Sequence, residues 1–146
     1  MYNKTMSKLE LLESSFISKF KQFIQSLNKS NAIPFITQYY DVIMVGIDFN
    51  EKQILKTFIS DILQYEDQIK NKDENFFLKY DFNSKYKNLN SGITQNISKS
   101  DVNIDFIFQF KNNWQQLSEN NKNAIFNHMI LLCKIAHAYK VEWDKL

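Results

Sequence analysis

Ser118-Glu-Asn-Asn-Lys-Asn-Ala-Ile-Phe-Asn-His-Met-Ile-Leu-Leu-Cys-Lys-Ile-Ala-His-Ala-Tyr-Lys140 sets the architecture of this chain. Ser118 carries the short hydroxyl that accepts a backbone N–H at a helix start. From there Ile125, Met129, Leu132, Ala136 and Tyr139 recur at steps of three and four, the stripe of an amphipathic helix. Ile130, Leu131, Cys133 and Ile135 widen the stripe until the middle of the segment is apolar nearly all round. A helix of that kind is covered on every side, so 119–140 is predicted to be the central, most buried element.

The cover comes from the N-terminal half. Leu9, Leu12, Phe16, Phe20, Phe23 and Leu27 give a second stripe over 7–27, with Lys8, Glu13, Lys19, Lys21 and Gln25 on its wet side. Asn28-Lys-Ser-Asn31 breaks it, and Pro34 suits the first turn of a helix over 34–46, where its missing N–H costs nothing. Ile36, Tyr39, Tyr40, Ile43 and Ile47 line that helix, and Gly46 is the expected C-terminal cap. Asp48-Phe-Asn-Glu51 reads as an acidic capping box, with Phe49 beginning the packing of a helix over 49–71 that turns Ile54, Leu55, Phe58, Ile62, Tyr65 and Ile69 to one face. Between 71 and 103 the pattern dissolves into Lys, Asn, Asp and Ser, broken by aromatics and Gly92: either an ordered excursion pinned by those aromatics or a functional surface. Ile104, Phe106, Phe108 and Phe110 alternate as in a strand, but Ile107 and Trp114 permit a helix over 104–117, and no second strand exists to pair with it. The tail, Val141 to Leu146, is expected on the surface with Trp143 tucked against the body.

Composition agrees. Two Gly and one Pro in 146 residues are too few for the turns of a sandwich or barrel, and 44% hydrophobic residues suffice for a core. The expected fold is all-α: a single-domain bundle of about four to six helices across 1–146, with a long, aromatic- and Lys-containing connection around 71–103. The longest apolar run, Met129 to Cys133, is far short of the roughly 20 residues that span a membrane. A lone Cys133 and the charged Met1–Leu12 segment point to a reducing compartment and a protein that is not secreted. Asn-x-Ser/Thr triplets at Asn3, Asn28 and Asn96 are then chance features of an Asn-rich chain.

Residues that could carry chemistry are sparse. Cys133 and His137 stand four apart on the last helix, with His128 one turn earlier, a spacing open to a metal or a thiol–base pair. No further Cys or His completes such a site, so a core cysteine with ordinary histidines is the expectation. Asp61, Glu66, Asp67, Asp73 and Glu74 read as a solvated face. Phosphate-binding glycine loops, nucleophile elbows and His-Glu-x-x-His are missing from the sequence, so the chain is read as a non-enzyme needing no metal or cofactor. All 18 basic residues are Lys, which removes the bidentate guanidinium fork, and the net charge is only +2. Even so, Lys70, Lys72, Lys79, Lys85, Lys87 and Lys99 interleave with Phe76, Phe77, Tyr80, Phe82 and Tyr86 much as in single-strand nucleic-acid binders. Lys79, Tyr80, Lys85, Tyr86 and Lys87 are therefore the candidate contacts for a nucleic acid or another partner.

Phe23-Ile-Gln-Ser-Leu27, Tyr39-Tyr40, Asp48-Phe-Asn-Glu-Lys-Gln-Ile-Leu55, Phe110-Lys-Asn-Asn-Trp114 and Leu117-Ser-Glu-Asn-Asn-Lys-Asn-Ala-Ile-Phe126 occur in an order that resembles small helical proteins of nucleocytoplasmic large DNA viruses, the giant viruses. The likeness covers about two thirds of the chain and departs at Phe126-Asn-His128, where the family has a further aromatic-rich helix start. It implies a viral protein of the virion or the replication factory, in the host cytoplasm, and transfers no catalytic residue. The leading expectation is a protein–protein interaction or assembly protein, with a protein partner or a second copy of itself. The alternative is nucleic-acid association through 70–99.

Overall fold

The computed structural model describes residues 7–79 and 112–146. Among them every regular element is a helix. α1 (Lys8–Ser30) opens on a reciprocal cap: Ser7 Oγ accepts from the Glu10 backbone N–H at 3.1 Å, and Glu10 Oε1 accepts from the Ser7 N–H at 3.2 Å. It closes at Asn31, whose φ of 54° is a left-handed conformation that Asn tolerates better than most side chains. Ile33 is extended, as a residue before proline prefers, and Pro34 opens α2 (Pro34–Gln38). α3 (Tyr40–Phe49), α4 (Glu51–Asp61), a 3₁₀ turn (Leu63–Tyr65), α5 (Glu66–Lys70) and α6 (Glu74–Lys79) follow. Residues 112–116 form a helical turn. Ser118 Oγ then accepts from the Asn121 N–H at 3.1 Å, the expected cap, and α7 (Glu119–Asp144) runs almost to the end of the chain.

α1 and α7 are antiparallel. Lys8 Nζ lies 3.3 Å from Glu142 at one end, and the Phe23 ring stacks on His128, centroids 5.2 Å apart, nearer the other. Each helix advances by about 21–23 Å between those two contacts, so they run side by side without slipping register. Phe16, Leu132, Cys133 and Ala136 are wholly excluded from solvent at this seam. α4 closes over it, with Phe58 edge-on to Phe16 at 5.1 Å, while Leu55 and Ile69 join the same core. Beyond Phe23 the N-terminal end of α7 is covered by Trp114 and Phe77, both packed on the buried Phe126.

Packing changes several of the expected elements. The 34–46 helix is two helices with Tyr39, ψ 24°, at the bend. Gly46 does not cap: α3 continues through it to Phe49, which lets Ile47 reach the core. Asp48 is consequently inside α3 and pairs with Lys21, so no capping box forms at 48–51; Asn50 takes the N-cap position of α4 without a side-chain bond. The 49–71 helix is broken by the 3₁₀ turn, and the expected loop contains α6 from Glu74 to Lys79. The remainder of the 71–103 connection, and 104–111 of the predicted 104–117 helix, lie outside the described residues. The tail lies on the surface, Val141 to Asp144 continuing α7 beyond 140, with Trp143 half-exposed and stacked on Tyr139 at 6.2 Å.

If the α1–α7 seam is the core, Leu132→Ala should cost about 2–5 kcal/mol of unfolding free energy. Leu131→Ala, at a 38% exposed neighbour, should cost under about 1 kcal/mol. Urea unfolding followed by circular dichroism measures both; equal losses would refute the assignment of the buried face.

Candidate functional site

The sequence of α3, Tyr-Asp-Val-Ile-Met-Val-Gly-Ile-Asp-Phe, is apolar on two opposite sides. Ile47 is buried and Tyr40, Ile43 and Met44 pack against the core cluster, so one side faces α1 and α4. Among the described residues nothing covers the other side. Val42 is 70% exposed, Val45 54%, Phe49 82% and Tyr39, at the bend before α3, 43%. Spacings of three and four place these residues in one row. Single exposed apolar residues are ordinary on any protein; an aligned row is not.

Local structure fixes the row in place. The Phe35 and Tyr39 rings lie 5.0 Å apart, and the Ile43 N–H donates to Tyr39 O at 2.9 Å, so the bend is braced from both sides. At the other end Asn50 Nδ2 donates to Gly46 O at 2.7 Å, giving one of the final carbonyls of α3 a partner. Asp41 and Asp48 edge one flank of the row, and Lys21 of α1 pairs with Asp48. Hydrogen bonding to Asp48 holds the Lys21 ammonium above its ordinary pKa. Two sequence expectations fail here: Tyr39 is on the outer row and not in the core stripe, and Phe49 begins no packing. Val42 and Val45, the residues between them, drew no notice in the sequence. The signal was there, because a ten-residue segment with apolar residues at 42, 43, 44, 45, 47 and 49 has too many for one face.

The lysine–aromatic candidates are not brought together among the described residues. Lys79 is exposed at the end of α6; Tyr80, Lys85, Tyr86 and Lys87 lie outside the described residues. Upstream, Phe76 and Phe77 are not free stacking platforms. Phe77 sits 6.3 Å from Phe126, and both rings meet Tyr65. Lys70 pairs with Glu66, and Lys72 donates to Asn123.

Two of the carboxylates read as solvated have partners far away in sequence. Glu74 Oε1 accepts from Trp114 Nε1 at 2.8 Å and from Lys122 Nζ at 2.9 Å, and Lys122 also lies over the indole, 5.9 Å from its centroid. Hydrogen bonds from Lys122 and then from Trp114 hold the Glu74 carboxyl below its ordinary range. This cluster ties α6 to the 112–116 turn and to α7. Glu66 Oε1 lies 3.2 Å from His137 Nδ1. His137 is exposed while Cys133 is fully buried, so the two do not form a thiol–base pair. Burial pushes the Cys133 thiol up to about 12, with Glu66 adding to the rise. Burial also lowers His128, which is stacked on Phe23. Among the described residues no group of three His, Cys, Asp or Glu side chains is placed to hold a metal, and no helix is long and apolar enough to cross a membrane. Comparison with family models, curated proteins and solved structures gives no match.

The Glu74 cluster stabilises the fold above the ordinary glutamate pKa of about 4.5, and that contribution fades as pH falls through the lower folded value. Glu74→Gln should therefore lower Tm by a few degrees at pH 7, with the gap to wild type closing as pH falls below about 4.5. A gap independent of pH would show that the carboxylate charge is irrelevant. Cys133 should react with iodoacetamide on the order of a thousandfold more slowly in the native protein than in urea. Comparable rates would contradict its burial.

Proposed function

We propose that this protein is a non-enzymatic helical interaction protein whose docking surface is the outer face of α3. The observation that carries the reading is the row Tyr39, Val42, Val45 and Phe49: four of the nine large hydrophobic residues exposed among the described residues fall on this one row. Covering it releases water from apolar surface at about 25 cal/mol per Å², while the folded chain alone gains nothing by displaying it. Large aromatic residues are enriched among interface anchors, and Phe49 is the most exposed ring of this row, with aliphatic neighbours beside it. The resemblance of its motif order to small helical proteins of giant viruses is the reason for placing this role in assembly, in the virion or the replication factory of an infected cell.

Site-specific photo-crosslinking in the native cell tests the reading. A photoreactive residue at Val42 or at Phe49 should trap the same polypeptide, identified by mass spectrometry, and one at Ser18, exposed on α1, should not. Phe49→Asp should abolish the Val42 adduct with Tm within a degree or two of wild type, since Phe49 makes little of the core. Equal trapping at Ser18 and Val42 would refute a dedicated docking face.

A further inference from the structure

The chain has two glycines, and one of them, Gly46, stands inside α3. A glycine in a helix interior is destabilising relative to alanine, because it has the most backbone freedom to lose. The folded chain supplies no reason to bear that cost. Gly46 has no positive φ, and a Cβ built on it would meet nothing within 4 Å. Its position supplies one. Gly46 follows Val45 directly, four residues past Val42 and three before Phe49, so it opens a flat slot in the exposed row. Close approach by another backbone is what a glycine at such a place permits.

We propose that the occupant is α3 of a second copy, packed antiparallel about a two-fold axis through the Val45–Gly46 peptide. The inference rests on the docking reading above and names its partner. Under that symmetry Phe49 lies opposite Val42 of the second copy, and Val45 and Gly46 each meet their own mates on either side of the axis, where the paired glycines let the backbones approach. The row is thus complementary to itself, which an isologous interface requires. The charges also fit. The symmetry sets the Asp41–Asp48 flank of each copy against the same flank of the other, so that Asp41 meets an Asp48 whose charge Lys21 already neutralises. A parallel pairing would align the two helix dipoles unfavourably; the antiparallel one opposes them.

Sedimentation velocity on the purified chain from roughly 10 to 500 µM should show a reversible monomer–dimer equilibrium, as a small interface predicts. Phe49→Asp should weaken it by on the order of tenfold or more. Gly46→Ala separates the two roles of the position: Tm of the monomer should rise by a few degrees, while dimerisation weakens by about tenfold. Val45→Cys, beside the axis, should give a disulfide-linked dimer on mild oxidation. Tyr39→Cys, about 20 Å from its mate, should give none, and buried Cys133 stays silent in both. A chain monomeric throughout that range, or crosslinking at position 39 as readily as at 45, overturns the self-pairing. If that monomeric chain is still trapped by another polypeptide at Val42, the docking face stands and only its occupant is wrong; without such an adduct both readings fall.

Discussion

The antiparallel seam between α1 and α7 is the contact on which the other elements depend. Neither helix could stand alone in water with Phe16, Phe23, Leu132 and Cys133 turned outward, and each buries the other's stripe along most of its length. The ion pair at its end, Lys8 with Glu142, is solvent-exposed on the lysine side and contributes little. Alignment comes instead from apolar side chains that fill space only in this register. α4 and α5 then cover the remaining face of α7, and α2 and α3 hang from α1.

A second layer of order comes from lysine. With no arginine in the chain, every strong cation is a flexible point charge that cannot form a two-pronged bridge. The structure answers by giving the carboxylate several neutral and charged donors at once. Glu74 takes an indole N–H as well as an ammonium, and Glu66 is shared between His137 and Lys70. Each cluster joins residues more than thirty positions apart, and each replaces geometric precision in the cation with multiplicity at the anion.

The two long helices were legible in the sequence because their stripes are unbroken, and each opens on a capping serine. Ser118 and Pro34 acted where local chemistry placed them, since nothing in the tertiary structure competes there. Gly46 and Asp48 misled because the same residues had better uses. Ending the helix at Gly46 would have withdrawn Ile47 from the core, and capping with Asp48 would have forfeited Lys21. The bend at Tyr39 and the 3₁₀ turn carry no Gly or Pro to announce them. Partners such as Glu74 and Trp114, forty residues apart, have no one-dimensional signature. The candidate face of α3 was written in the sequence as an excess of apolar residues, but an excess does not say which side is left bare.

α2 and α3 attach to the body chiefly through Ile36 and Ile47, whereas α1 and α7 share a buried row of large side chains. Segments held by so few buried residues open before the rest of a protein does. Surveillance by chaperones and proteases responds to such openings and to the hydrophobic residues they display. Whatever binds α3 closes the opening by mass action and hides the residues in the same event. A docking role for α3 would tie the cellular lifetime of this chain to its occupancy, so that undocked copies would be the ones marked for destruction.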